Sequence, residues 1–251
     1  MGNGMSHFFI TSDQIEGELL TITGDDVNHM KNVLRMRNGE AFTAADEQGL
    51  FYRCEIEELE KHQVTAKILW KEEGSSELSS KLYLFQGLPK SDKMEMIIQK
   101  AVELGAYKII PVATKRAIVK LDAKKEASKL KRWQAIAEGA AKQSGRMLIP
   151  EISEVKTFGE ALQMAQELDV NIIPYECARG MEGTREIFNS IKPGMSVGIF
   201  IGPEGGFEES EVEKAKELNI NPVTLGKRIL RTETAGLTTL SILMYLLEES
   251  N

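Results

Sequence analysis

Two short segments near the C-terminal end combine glycines with charged residues and could together form a ligand site. The first reads I-G-P-E-G-G-F from Ile201 to Phe207, and the second reads L-G-K-R-I-L-R-T-E-T-A from Leu225 to Ala235. Each follows an apolar run and precedes a helix-like run, so each predicts a glycine turn between a strand and a helix. Because ligands in open α/β sheets bind beyond the carboxyl ends of strands, we expect one shared pocket.

The residue types in these segments restrict the ligand. Glycines let the main chain approach a ligand closely, and a helix start offers N–H groups to an anion. However, Glu204 would repel a phosphate, and the chain contains neither G-x-x-x-x-G-K-[ST] nor G-x-G-x-x-G. An acidic, glycine-lined pocket favours a ligand with hydroxyls, a base edge or a positive centre, and S-adenosylmethionine has all three. Two ordinary strand–helix turns are the alternative.

The composition is that of a globular protein. The 251 residues are 42% hydrophobic and 27% charged, and the net charge of −7 argues against indiscriminate nucleic-acid binding. Eight basic residues nevertheless lie between Lys115 and Arg132, which indicates either an RNA surface or a solvated face. Cys54 and Cys177 form no disulfide framework and no signal peptide is visible, so a cytoplasmic location is expected. The three histidines have no metal-ligand spacing, so no metal is predicted.

The pattern of apolar residues changes along the chain and predicts two domains. Residues 1–72 read as a small β-rich domain with strands at 8–10, 41–45, 51–56 and 64–70 and one helix at 25–36. Residues 73–80 have linker composition. Residues 81–251 predict an α/β domain with a largely parallel sheet. Its strands are expected at 81–87, 108–112, 170–175, 195–201 and 222–225, and its helices at 93–104, 124–143, 158–168, 208–218 and 233–249.

The two C-terminal motifs resemble those of the ribosomal RNA small subunit methyltransferase E family. Matching segments occur in order along the chain: H-x-x-x-V-L-R from His29, L-P-K-S-D-K-M-E from Leu88, Q-K-A-V-E-L-G from Gln99 and Q-S-G-R from Gln143. The chain departs from the family at His7, where an arginine is usual, and at Lys142, where a glutamate is frequent. The departure at His7 puts one RNA contact in question.

The resemblance implies a PUA-like β-barrel that binds RNA, followed by a SPOUT-class α/β domain with a C-terminal trefoil knot. It implies a homodimer that transfers a methyl group from S-adenosylmethionine to N3 of a uridine in 16S ribosomal RNA of the small subunit. A non-catalytic RNA-binding ribosome-assembly factor with the same fold is one alternative. A nucleotide-dependent α/β enzyme of another class is a second.

The expected site residues fall into three groups. The catalytic candidates are Arg231, Arg228 and Glu233, because uracil N3 must lose a proton and a cation near O2 or O4 would stabilise the resulting anion. Alternatively, the arginines are structural, and Glu233 orients them. The candidate cofactor contacts are Ile173, Pro174, Tyr175, Ile201, Gly202, Pro203, Glu204, Gly205, Gly206, Leu225, Gly226, Ile229, Leu230, Arg231, Thr234 and Ala235. The candidate RNA contacts are His29, Arg35, Arg37, Lys90, Lys93, Arg116 and Arg146.

Overall fold

The computed structural model describes residues 6–46, 48–73, 77–119, 121–175 and 180–248, and the chain divides into two units. The first unit comprises Met1–Glu77 and Ala141–Ile149, and the second comprises Leu78–Ala140 and Pro150–Asn251. The assignment of residues 141–149 to the first unit adds a segment that the sequence pattern did not indicate. Of the described helices, none combines the length and apolarity needed to cross a bilayer.

The first unit contains a six-stranded sheet. Its strands are β1 (His7–Phe9), β2 (Ile15–Glu16), β3 (Leu19–Thr23), β4 (Ala41–Ala45), β5 (Leu50–Leu59) and β6 (Gln63–Glu73). They lie in the order β1-β4-β5-β6-β3-β2, with β1 parallel to β4 and every other pair antiparallel. Two register shifts in the β5–β6 pair bend the strands, and the sheet curls. The four predicted strands are confirmed, whereas β2 and β3 were not predicted.

One face of this sheet packs on a short helical segment. The predicted helix at 25–36 is instead a single α-helical turn, α1 (Asp25–Asn28), continued by a π-helical turn over His29–Val33. Arg35 adopts a φ of 54°, which ends the helical segment because left-handed backbone cannot continue a right-handed helix. Met30 from the π turn and Cys54 from β5 are fully buried in the core of this unit. Cys177 lies outside the described residues.

A sheet of seven parallel strands forms the centre of the second unit. The strands are β7 (Lys81–Gly87), β8 (Ala106–Ala113), β9 (Glu151–Ile152), β10 (Lys156–Thr157), β11 (Val170–Pro174), β12 (Ser196–Ile201) and β13 (Asn221–Val223). The order is β10-β8-β7-β12-β11-β13, and β9 also pairs with β8. The five predicted strands and the parallel arrangement are confirmed, and the two-residue strands β9 and β10 are additional.

Six helices accompany this sheet along the chain. They are α2 (Lys93–Glu103), α3 (Ala123–Ser144), α4 (Phe158–Ala165), α5 (Met181–Ser190), α6 (Glu209–Glu217) and α7 (Thr232–Leu247). Five of them were predicted. Helix α5 was not predicted, because its sequence M-E-G-T-R-E-I-F-N-S contains few apolar residues and buries only Thr184 and Phe188.

Helices cover both faces of the parallel sheet. Successive side chains of a strand point to opposite faces. On β7, Phe85 stacks on Phe200 of β12 at 4.3 Å between ring centroids, within the core that α4 and α6 complete. The neighbouring residues of β7, Leu84 and Gln86, lie instead beside Gly236 of α7. The predicted trefoil knot stays a prediction.

Candidate functional site

A cavity of about 680 Å³ lies at the carboxyl ends of the parallel strands. The loops after β8, β11, β12 and β13 line it, together with the first turns of α2 and α7. A second cavity, of about 160 Å³, shares Pro174, Tyr175, Ile229, Leu230 and Ala235 with the first, so the two form one continuous depression. This is the position that the two glycine motifs predicted.

The glycine loop, defined as residues 202–206, forms one wall and is held closely by its neighbours. A Cβ atom at Gly87 would lie 2.7 Å from Pro203 Cδ, so β7 and this loop can approach only because residue 87 is glycine. The N–H of Gly206 donates to the Pro203 carbonyl at 2.8 Å, and the φ of Gly206 is +66°. Arg116 Nη1 donates to the Gly205 carbonyl at 3.0 Å. This wall is therefore preorganised.

A buried polar link joins the glycine loop to α7. Thr232 Oγ1 donates to the Gly202 carbonyl at 2.6 Å, and Gln86 Nε2 donates to Thr232 Oγ1 at 2.9 Å. Neither Gln86 nor Thr232 was among the predicted site residues. The signal for Gln86 was present in the sequence, because it is a polar residue near the end of an otherwise apolar strand, and buried polar groups need hydrogen-bond partners.

Lys93, at the start of α2, lies between two carboxylates of the cavity. Its Nζ is 3.1 Å from Glu204 Oε1 and 3.3 Å from Glu233 Oε2. The main-chain N–H of Lys90 also donates to both oxygens of Glu204, at 3.1 and 3.2 Å. Burial acts to raise the pKa of Glu204, but hydrogen bonds from its own amide, Lys93 and Lys90 outweigh it, and the net pKa lies below 4.5. Glu204 is therefore ionised at neutral pH.

The arginine loop, defined as residues 225–231, forms the opposite wall and is held by fewer contacts than the glycine loop. Within the described residues, Gly226 makes two hydrogen bonds with the Thr224 hydroxyl at 3.3 Å, and the Arg231 carbonyl accepts one from the Ala235 N–H at 2.8 Å. Ile229 is 83% exposed. The guanidinium groups of Arg228 and Arg231 are exposed and have no hydrogen-bond or ion-pair partner among the described residues. The idea that Glu233 orients these arginines is wrong, because the partner of Glu233 is Lys93.

Most of the predicted cofactor contacts line the depression. Those lining the larger cavity are Pro174, Tyr175, Ile201, Gly202, Pro203, Glu204, Gly205, Gly206, Ile229, Leu230, Arg231 and Ala235, while Leu225 and Gly226 line the smaller one, as does the catalytic candidate Arg228. Two predicted contacts do not. Ile173 points into the hydrophobic core, since alternate residues of β11 face opposite sides. Thr234 is exposed outside both cavities, because helical spacing places Arg231 and Ala235 on the cavity side.

The structure distributes the predicted RNA contacts among different surroundings. His29, Arg35 and Arg37 are exposed on the first unit. Lys90 and Arg116 are exposed at the loops after β7 and β8 of the second unit. Several cations of the basic run from Lys115 to Arg132 already have acidic partners: Lys115 pairs with Glu208, Lys125 with Asp122 and Arg132 with Glu95. Lys120 lies outside the described residues.

Arg146 is not an RNA contact, contrary to the prediction. Its side chain is only 4% exposed, and its guanidinium binds the carboxylate of Glu77, with Nε 3.1 Å from both oxygens. Glu77 also accepts hydrogen bonds from the amides of Met147 and Leu148. This ion pair links residues 141–149 to Glu77 within the first unit, and exposing the arginine to RNA would break it.

His7 does not replace an exposed arginine at the surface. It is 6% exposed, its Nδ1 lies 3.0 Å from Thr43 Oγ1, and its ring stacks on Phe51. Burial lowers the pKa of His7; the main chain of Arg146 opposes this shift, and the charge of Lys142 adds to it. His7 is thus a neutral packing residue at physiological pH. Within the part of the chain described, no cluster of His, Cys, Asp or Glu could hold a metal ion.

Comparison with known families defines the class of the protein. The family model described as an RNA methyltransferase domain matches residues 76–244, and one described as an RNA methyltransferase PUA domain matches residues 22–69. A parallel sheet with a cavity at its carboxyl edge and an N-terminal PUA domain together define an RNA methyltransferase of the SPOUT class.

Individual relatives narrow this class. The chain is 41% identical to the ribosomal RNA small subunit methyltransferase E of Bacillus subtilis, covering 96% of each chain. It superposes with a TM-score of 0.83 on that of Neisseria gonorrhoeae, solved bound to S-adenosylmethionine, at 34% identity over 96% of this chain and 98% of the other. A Legionella pneumophila methyltransferase with bound S-adenosylmethionine gives a TM-score of 0.84 at 32% identity, covering 96% and 97% of the two chains. The chain belongs to the ribosomal RNA small subunit methyltransferase E family.

Proposed function

We propose that this protein transfers a methyl group from S-adenosylmethionine to N3 of a uridine in 16S ribosomal RNA of the small subunit. The observation that carries the proposal is the single depression bounded by the glycine loop on one side and the arginine loop on the other. It brings together the two family motifs, which are about twenty residues apart in the sequence.

The residues of the depression fit S-adenosylmethionine. Its larger part, of about 680 Å³, is in the size range of small-molecule sites. Tyr175, Ile229 and Leu230 offer apolar surface to an adenine ring. The amides of Leu225, Ile229 and Leu230 donate no hydrogen bond within the described residues, so they are available to the edge of a base. When bound, this cofactor supplies a methyl group already activated for transfer.

In the proposed reaction the protein makes the acceptor nucleophilic. Uracil N3 carries a proton, and its loss spreads negative charge onto O2 and O4. Arg231 presents an exposed guanidinium to the cavity, and a cation placed there would stabilise this charge. Arg228 lines the adjoining smaller cavity and adds to the same positive electrostatic field. Glu233 contributes by holding Lys93, and either Glu233 or solvent accepts the proton.

The proposed RNA substrate accounts for the exposed basic residues of both units. The first unit carries His29, Arg35 and Arg37, and the second carries Lys90 and Arg116. Contacts from such side chains to phosphates would make affinity fall steeply with salt. The target base must also be unpaired or turned out of its stack to reach the cavity.

The proposal includes a homodimer located in the cytoplasm. Helix α7 supports the dimer, because it exposes Ile242, Tyr245 and Leu246, and Tyr245 is 81% exposed. Apolar side chains exposed together on one helix are typical of an interaction surface. Sedimentation of the wild type and of Tyr245→Glu tests this part: the wild type should sediment as a dimer and the variant as a monomer.

Methyl transfer to small ribosomal subunits tests the function itself. Subunits from a strain lacking this enzyme would be incubated with the protein and labelled S-adenosylmethionine, and the RNA nucleosides analysed by mass spectrometry. N3-methyluridine in the 16S RNA is the expected product. RNA binding without any transfer would favour the alternative of a non-catalytic assembly factor. A thermal shift with ATP but none with S-adenosylmethionine would favour a different class of enzyme.

A further inference from the structure

We infer that Lys93 is a positioning residue of the cofactor site, which joins the glycine loop to the first turn of α7 by binding Glu204 and Glu233 at once. The inference rests on the proposed function, since it concerns the same depression. It gives Lys93 a role different from the RNA contact that the sequence predicted.

The geometry makes Lys93 a bridge between three segments of the chain. Lys93 is the first residue of α2, Glu204 is at the centre of the glycine loop, and Glu233 is the second residue of α7. Both N–O distances, 3.1 and 3.3 Å, suit ion pairs. The hydrogen bond to Glu204 raises the pKa of the Lys93 ammonium above 10.5, so the bridge is charged under all physiological conditions.

The two carboxylates depend on Lys93 to different degrees. Glu204 retains the amide of Lys90 as a second donor if Lys93 is removed. Glu233 has no second donor of this kind. Its Oε2 is buried and contacts no donor other than Lys93 among the described residues. A partly buried carboxylate that loses its cationic partner is unfavourable, so loss of Lys93 should displace the side chain of Glu233.

The buried link through Gln86 and Thr232 is independent of the bridge made by Lys93. That neutral link is anchored on the buried Gln86 and already ties Gly202 to α7, whereas Lys93 joins Glu204 to Glu233. Removing Lys93 should therefore leave the fold intact while it changes the relative position of Glu204 and Arg231. Both residues line the cavity in which the cofactor is proposed to bind, so cofactor binding should respond.

Titration calorimetry with S-adenosylmethionine, without RNA, tests the inference on four full-length proteins. They are the wild type, Lys93→Met, Lys93→Arg and the control Lys100→Met, which removes a lysine of the same helix whose partner among the described residues is Glu103, outside the cavity. Lys93→Met should raise the Kd about tenfold, the usual scale for a charged hydrogen bond. Lys93→Arg, which can still bind both carboxylates, should recover most of the affinity, and Lys100→Met should equal the wild type.

Steady-state methylation separates positioning from other roles. In Lys93→Met the KM for S-adenosylmethionine should rise about tenfold, with kcat at saturating cofactor changed less than threefold. An unchanged Kd for the cofactor with a raised KM for RNA would overturn the inference and restore the RNA contact. If Lys93→Met does not fold, Glu204→Gln breaks the same bridge from its other end and should raise the Kd similarly. A wild type that binds no cofactor would overturn the proposed function, whereas a binding wild type with an unaffected Lys93→Met would overturn this inference alone.

Discussion

The two walls of the cofactor depression are built in opposite ways. The glycine loop is fixed by a close approach to Gly87, by hydrogen bonds from Thr232 and Arg116, and by the ion pair with Lys93. Within the described residues, the arginine loop is held by the hydrogen bonds between Gly226 and Thr224 and by the bond from the Ala235 N–H to the Arg231 carbonyl. Few internal bonds and high exposure mark a segment of low local stability. We therefore expect the glycine loop to have its ligand-binding conformation before the cofactor binds. The arginine loop should become ordered only when its ligands bind.

The largest expected effect comes from the loosely held wall. Arg231→Ala should lower kcat about a hundredfold or more, the usual scale for removal of one charge-stabilising donor. The free energy of unfolding should stay unchanged, because the guanidinium has no partner among the described residues. The matched control is Lys227→Ala, an exposed cation of the same loop that lines only the smaller cavity. Methyl transfer at saturating RNA and cofactor measures the effect, and an unimpaired Arg231→Ala enzyme would rule out the proposed catalytic role.

A single methyl group added at Gly87 should displace the glycine loop, which is the more firmly held wall. In Gly87→Ala the added Cβ would lie 2.7 Å from Pro203 Cδ and 2.8 Å from Pro203 N, so the glycine loop must shift. We expect a loss of about 1–3 kcal/mol in unfolding free energy and weaker cofactor binding. The control Gly139→Ala, where no atom lies within 4 Å of the new Cβ, should instead stabilise α3 by about 0.5–1 kcal/mol. Equal stability of the two variants, by denaturant unfolding, would contradict the tight contact.

The same substitution in the loosely held wall should have a smaller consequence. Gly226 has a φ of +110°, which an alanine adopts only with strain, yet no atom lies within 4 Å of its added Cβ. Because this loop can relax, Gly226→Ala should cost at most about 1 kcal/mol of unfolding free energy and raise the Kd for S-adenosylmethionine only a few-fold. A larger loss of stability than in Gly87→Ala would reverse the assignment of the fixed and adaptable walls.

The smallest expected effect is a difference in acid sensitivity. The pKa of Glu204 in the folded protein lies below its ordinary value of 4.5, so its contribution to stability is complete above pH 4.5 and is lost as the pH falls through the lower folded value. The difference in unfolding free energy between the wild type and Glu204→Gln should therefore be constant from about pH 6 to 8 and shrink below pH 4.5. A difference that grows on acidification would contradict the ion-pair account of this wall.

Periodicity and glycine motifs predicted the elements and the location of the site, but not its internal contacts. The five predicted parallel strands followed from apolar runs, and the position of the cavity followed from the two of these runs that lead into the glycine motifs. The buried pair of Arg146 and Glu77 and the bridge at Lys93 could not be predicted, because each joins residues that are far apart in sequence. A basic side chain in a motif looks the same whether it meets RNA or a carboxylate. Its partner is decided by tertiary packing.

Hydrogen exchange with and without S-adenosylmethionine tests the central claim most directly, because it reports on both walls in one experiment. The amides of Lys90 and Gly206, which are bonded within the protein, should exchange slowly in both states. The amides of Leu225, Ile229 and Leu230 donate no hydrogen bond among the described residues. They should exchange fast in the free protein and become protected when the cofactor binds. Equal protection gains in both walls, or no gain in the arginine loop despite cofactor binding, would contradict the account.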